Sequence, residues 1–179
     1  MDGARTVAQP ITAPPDAERA HDRAGDEGRA GELREGSYSL FLSVYAVTLG
    51  SFLWLWRRER GLPNRIPASD LALLGVATHK TSRLLSKDKV AAPLRRPFAR
   101  YEGPAGPGEV EEAPRGSGVR HAIGELLVCP YCLGQWVATG FAIGFVVSPR
   151  VTRFIASVLA LVTASDFLQI AYKASEKRI

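Results

Sequence analysis

The run from Gly36 to Trp56 carries no charged residue, and it limits the possible folds of this chain more than any other stretch. Its core, "YSLFLSVYAVTLGSFLWLW", has the roughly 20-residue length with which a helix crosses a hydrocarbon layer of about 30 Å. Trp54 and Trp56 close the run and "RRER" follows at once, as expected where a spanning helix leaves the bilayer through the headgroups. A helix buried in a water-soluble domain would show a polar residue on one face every third or fourth position, and none recurs here. Residues 37–56 are therefore predicted to form a first transmembrane helix.

The residues before it read differently. Met1 to Gly36 holds scattered aliphatics among Ala, Gly, Pro, Arg, Asp and Glu, too little apolar surface to offset the entropy of ordering. A disordered cytoplasmic tail is expected over 1–36. It is not a signal peptide, since no apolar core follows a short basic start and no cleavage-like site closes one.

A second charge-free run extends from Leu126 to Pro149, and a third apolar segment, "FIASVLALVTASDFLQIAY", extends from Phe154 to Tyr172. Only "SPRVTR" separates them, with Pro149 as a breaker, so an antiparallel helical hairpin is expected within 121–172. Gly140 and Gly144 form a Gly-x-x-x-Gly pair, and Ala156, Ala160 and Ala164 repeat at four-residue spacing. Small residues so spaced let helix backbones approach closely in lipid.

The segment over 69–86, "SDLALLGVATHKTSRLLS", is ambiguous. Eighteen residues would reach about 27 Å as a helix, but the charge-free part is only Leu71 to Thr78 before His79, Lys80 and Arg83. Either it spans with its basic end reaching to the headgroups, or it lies in the interface. The expected fold is thus an all-α integral membrane protein of about four transmembrane helices, or three plus an interfacial one. With four, both termini, including 173–179, and the 87–120 connection share the side richer in Lys and Arg, which is the cytoplasm. With three, the tail would lie outside and the connection would remain cytoplasmic.

That connection contains Pro104, Pro107 and Pro114 and five glycines after Pro97, which excludes a regular helix through its middle and predicts a loop with turns. Its basic first part, Lys87 to Arg100, could hold anionic lipid headgroups or be a solvated positive-inside loop. Nucleic acid is not an expected partner: the net charge of +5 is modest and no reading motif is present.

Cys129 and Cys132, the only cysteines, sit in "CPYC" at the start of the second apolar run. Pro130 disfavours helical geometry at Cys129, so the helix either begins at Pro130 with Cys129 as its cap or is kinked there. A thiol at a helix N-terminus has its thiolate favoured by the helix dipole. The letters look like the active site of glutaredoxins, but that fold needs strands after the motif, where this chain has only apolar helices. Zinc would need four ligands, and Cys129, Cys132, His79 and His121 make a countable set. Unligated cysteines packed as small, soft residues are the plainer reading.

Intramembrane charge is the other source of chemistry. Asp166 lies about four turns into its helix, where an unpaired acid costs about 2.5–3.5 kcal/mol on insertion scales. Arg83, Lys80 or His79 could neutralise it, with Glu125, Gln135 and Gln169 at compatible levels. A polar cluster of Lys80, Arg83, Glu125 and Asp166 is expected, serving either as a structural ion pair or as an ion or proton path.

Taken together, "ATHKTSRLLSKDKVAAPLRRPFARY", "GEVEEAPRGSGVRHAIGELLVCPYCLGQWVA" and "ASDFLQ" resemble the bacterial membrane-protein family catalogued as domain of unknown function 1360. The match covers about Ser69 to Tyr172, and the tail departs from the shorter members of that family. The resemblance implies a small integral membrane protein of bacteria and supplies no activity, substrate, cofactor or catalytic residue; the spans and flanking charges read above lead to the expectation of a multi-pass protein of the bacterial cytoplasmic membrane. The expected function is a non-enzymatic membrane component or interaction subunit, alone, as a homo-oligomer or beside another membrane protein. The alternatives are a metal-binding or thiol-redox protein using Cys129 and Cys132, and a small ion or proton transporter using Asp166.

Overall fold

Helix α1, Tyr38–Arg58, is 21 residues long and apolar enough to cross a membrane, with none of its most apolar window buried against the rest of the chain. It comes from a computed structural model that describes residues 36, 38–58, 62–63 and 65–176. The tail expected over 1–36 lies outside the described residues except for Gly36, and so do 177–179. At the far end of α1 the Arg58 guanidinium lies 4.1 Å from the centre of the Trp54 ring, so the aromatic-then-arginine boundary is also a cation–π contact.

Three further long helices complete the bundle: α2 (Ala68–Ser86), α5 (Pro130–Val147) and α6 (Pro149–Glu176). By length and composition α5 and α6 could also each cross a membrane, whereas α2 does not meet that criterion. Pro130 is the first residue of α5, where its missing N–H costs nothing, and Cys129 is the cap. Pro149 plays the same part in α6, so it starts that helix rather than breaking the chain, and Ser148 alone separates α5 from α6. The carbonyl of Ser148 accepts from both the backbone N–H and the hydroxyl of Thr152, which closes the turn.

The directions of the helices follow from their cross-links. Asp70 near the start of α2 meets Arg153 near the start of α6, and Lys80 further along α2 meets Asp166 further along α6, so these two run parallel. Tyr45 of α1 shares a 2.9 Å hydrogen bond with Thr139 of α5 and packs edge-on against Trp136, ring centres 5.3 Å apart. Tyr38, about two turns before Tyr45 on α1, donates to Glu125, which precedes α5. Hence α1 runs parallel to α5, and α2 and α6 run back.

The core is small and lies where α2 is held between α5 and α6, formed by Leu74, Ala77, Phe145 and Ala156 with Leu73, Phe141 and Leu159 packed against it. Small residues make the closest approaches. A Cβ on Gly144 would stand 3.0 Å from the Thr152 hydroxyl, and one on Gly134 3.5 Å from Ser82 Oγ. Gly140, by contrast, has open space around it, so the expected Gly-x-x-x-Gly contact is made by Gly144 only. Along α6, Ala156 is buried while Ala164 is exposed; the buried stripe is instead Thr152, Ala156 and Thr163.

The connection expected as a loop is folded, and the fold is therefore not all-α. After α2 come a 3₁₀ turn (Lys89–Ala91), the short α3 (Ala92–Arg95), an antiparallel hairpin of β1 (Ala99–Gly106) and β2 (Glu109–Pro114), and α4 (Gly118–Val128). Pro107 and Gly108 occupy the hairpin's central positions, and Gly108 has φ +80°, as a type II turn requires of its second central residue. The prolines and glycines that ruled out a helix thus build a bulged hairpin instead. The expected hairpin over 121–172 is likewise three helices, since α4 ends at Val128 before α5 begins.

Arg95 fixes this cap to the bundle. Its side chain is 1% exposed; Nη1 donates to the Leu85 carbonyl at 2.7 Å, Nη2 to the Asp88 carbonyl at 3.1 Å, and Nε pairs with the buried Glu112. Gly124 of α4 permits the rest of the contact. A Cβ there would run into the Phe98 carbonyl oxygen and stand 3.1 Å from Pro114 Cα.

Candidate functional site

The polar residues of α2 gather at its C-terminal end, where the cap meets α6. Arg83 in the last turn of α2 and Lys87, its C-cap, are four apart, and Glu109 and Glu111 are two apart on β2, spacings of about 6 Å and 6.8 Å that match. Arg83 accordingly grips both oxygens of Glu109, Nη2 lying 2.6 Å from Oε1 and 2.7 Å from Oε2, and Lys87 meets Glu111 at 2.9 Å. The segment after α2 joins the tip directly: Lys89 N–H donates to the Gly108 carbonyl and Val110 N–H to the Lys87 carbonyl.

Behind the tip lies a cavity of about 590 Å³ between α2, α6 and the hairpin. From α2 it is lined by His79, Lys80 and Arg83, and from α6 by Thr163, Asp166, Gln169 and Lys173, which recur every three or four residues on one face. Asp88, Val90 and the tip residues Pro107, Gly108 and Glu109 close the third side, with Phe167 and Ile170 as an apolar flank. Lys80 Nζ lies 2.9 Å from Asp166 Oδ2 and 3.8 Å from Asp88 Oδ2. The intrahelical acid is therefore neutralised by Lys80, while Arg83 is committed to Glu109.

Three members of the expected polar cluster, Lys80, Arg83 and Asp166, share this cavity. Glu125 stands elsewhere, on α4, with His121 Nε2 3.4 Å from its Oε1 and Tyr38 donating to its Oε2 at 2.5 Å. The four possible zinc ligands are divided in the same way. His79 lines the cavity, His121 is paired on α4, and the cysteines sit at the α4–α5 junction, where Cys129 Sγ accepts the Cys132 N–H at 3.2 Å. Both thiols are free, and among the described residues no three His, Cys, Asp or Glu side chains are grouped to hold a metal ion.

Sequence reasoning missed Asp88, Glu109 and Lys173 as parts of the site. The i,i+4 spacing of Arg83 and Lys87 against the i,i+2 spacing of Glu109 and Glu111 carried a signal for the first contact. It becomes readable only once 109–114 is taken as a strand.

The comparisons with known proteins agree with this part of the chain. The family model described as "Protein of unknown function (DUF1360)" matches residues 73–172, from the second turn of α2 to near the end of α6. The chain is 32% identical over 102 residues to the sporulation protein YjcA of Bacillus subtilis (strain 168), a match covering 55% of this chain and 86% of that protein. No solved structure matches it. A helical bundle of this extent, capped through the matched segment, belongs to the DUF1360 family of proteins of unknown function.

Proposed function

We propose that this chain is a four-helix, non-enzymatic component of the bacterial cytoplasmic membrane, with the cap and both termini on the cytoplasmic side. The observation that carries the reading is the outward face of the bundle. Leu42 and Val47 of α1, and Phe154, Leu161, Phe167, Leu168 and Ile170 of α6 are each more than three-fifths exposed on helices of spanning length. Apolar patches on this scale are not left to water by a soluble monomer, whereas lipid covers them at no cost.

The direction of the helices supports a fourth span. Parallel spans α1 and α5 both start at the capped end, so the chain must return between them, and α2 is the long element that does so. Its 19 residues reach about 28 Å, close to the hydrocarbon thickness. Its charges are tolerable there because neighbours neutralise them: Arg153 holds Asp70 through a two-bond pair at 2.7 and 2.8 Å, and Asp166 holds Lys80. Basic side chains Lys87, Lys89, Arg95, Arg96, Arg100, Arg115 and Arg120 then lie at the capped end, the side the positive-inside rule assigns to the cytoplasm.

The test is extraction of membranes from cells expressing the full chain with alkaline carbonate. The protein is expected to stay in the pellet and to be released by detergent alone. Release into the carbonate supernatant as a folded species would overturn the proposal.

A further inference from the structure

After α2 the chain turns back along the bundle. Asp88 reaches Lys80, on α2, at 3.8 Å, and Arg95 donates to the Leu85 carbonyl at 2.7 Å. The turn from Lys89 to Arg95 therefore lies beside the end of α2, not beyond it. The pairs Asp70–Arg153 and Lys80–Asp166 relate α2 to α6 by offsets of 83 and 86 residues, which sets Leu85 level with the stretch from Leu168 to Ala171. That stretch is the last apolar turn of α6 before Lys173, its first basic residue after Arg153. Val90 and Ile170 line the same cavity, in keeping with this level.

The turn has two faces. Ala91 and Arg95 are buried against the protein, whereas Val90 is 88% exposed and Leu94, one helical turn later, is 69% exposed, with Pro93 and Pro97 exposed beside them. A single exposed aliphatic on a protein surface is ordinary. Here two share a face at the level where Phe167, Leu168 and Ile170 of α6 are also exposed. The lipid that covers α6 at this depth covers the turn as well. Charge agrees with that occupant. Lys87, Arg95 and Arg100 are paired with Glu111, Glu112 and Glu102, but Lys89 and Arg96, at the two ends of the turn, are exposed. Among the described residues neither of these two side chains makes an ion pair or hydrogen bond, and both suit anionic headgroups.

We infer that the turn Lys89–Arg95 is an interfacial anchor in the bilayer that the bundle spans, with Val90 and Leu94 among the first carbons of the acyl chains and Lys89 and Arg96 at the headgroups. The inference rests on the membrane reading above and adds to it a part of the cap that meets lipid.

Spin labelling of the full chain, in a Cys129→Ser, Cys132→Ser background reconstituted in vesicles of phosphatidylglycerol and phosphatidylcholine, tests it. Single cysteines carrying a nitroxide are compared for collision with oxygen, which concentrates among acyl chains, and with a nickel chelate, which stays in water. Val90→Cys and Leu94→Cys replace exposed side chains and leave the packed face of the turn intact. Both should favour oxygen, as Leu161→Cys on the outer face of α6 should. Lys89→Cys and Arg96→Cys should shift toward the chelate, and Gly103→Cys on the hairpin further still. Labels at 90 and 94 that favour the chelate as strongly as the one at 103 would overturn the anchor. Labels at 90 and 94 shielded from both reagents would overturn it too, by showing that protein covers the face. The reference at 161 separates the two readings: oxygen there with chelate at 90 and 94 removes the anchor alone, and chelate at 161 removes the membrane reading itself.

Discussion

Arg95 is the residue on which the cap depends most. A guanidinium taken out of water loses its hydration, and this one regains it through the Glu112 carboxylate and the carbonyls of Leu85 and Asp88. Those carbonyls belong to the last turn of α2 and the residues after it, so one side chain joins helix, connection and strand. Removing one member of such a pair leaves the other charged and buried. Arg95→Met is therefore expected to destabilise the protein by about 3–5 kcal/mol, and Glu112→Leu similarly, while the double variant should recover most of the loss. Thermal unfolding in detergent measures this; additive losses with no recovery would show that the two residues act separately.

At the scale of elements, the three most apolar helices were legible from hydropathy alone, α1 and α5 from charge-free runs and α6 from an apolar run interrupted only by Asp166, because hydropathy needs no tertiary information. The start of α5 at Pro130 was equally legible, since proline is restricted locally. The hairpin was not. Residues 99–114 contain the prolines and glycines of a loop, and what makes them strands is a partner: Arg83 and Lys87 for Glu109 and Glu111, Arg95 for Glu112. Pairing Asp166 with a basic residue of α2 was foreseen, but the choice of Lys80 over Arg83 depends on where β2 lies. Gly124 shows the same dependence, for nothing in the sequence says that Phe98 and Pro114 press against it. Gly124→Ala should cost about 1–3 kcal/mol because backbone must move. Gly140→Ala, with open space around it, should be neutral or stabilising by up to about 1 kcal/mol. Unfolding of the two variants side by side checks both; similar effects would contradict the packing described here.

For the whole molecule, the arrangement turns on α2. Its composition alone left open whether it spans or lies in the interface, because its charge-free part is short. Its surroundings supply what composition lacks: α5 and α6 cover Leu74 and Ala77, and ion pairs to Arg153, Asp166 and Glu109 neutralise Asp70, Lys80 and Arg83. If α2 crosses, the connection after α1 and the tip of the hairpin lie on opposite sides of the membrane. If it does not, they lie on the same side. The direct measurement is labelling of intact spheroplasts with an impermeant maleimide, in a Cys129→Ser, Cys132→Ser background carrying either Leu62→Cys or Gly103→Cys. The account predicts that Leu62→Cys reacts from outside and Gly103→Cys reacts only after the membrane is permeabilised. Equal protection of both positions until permeabilisation would place them on one side and contradict the four-span bundle.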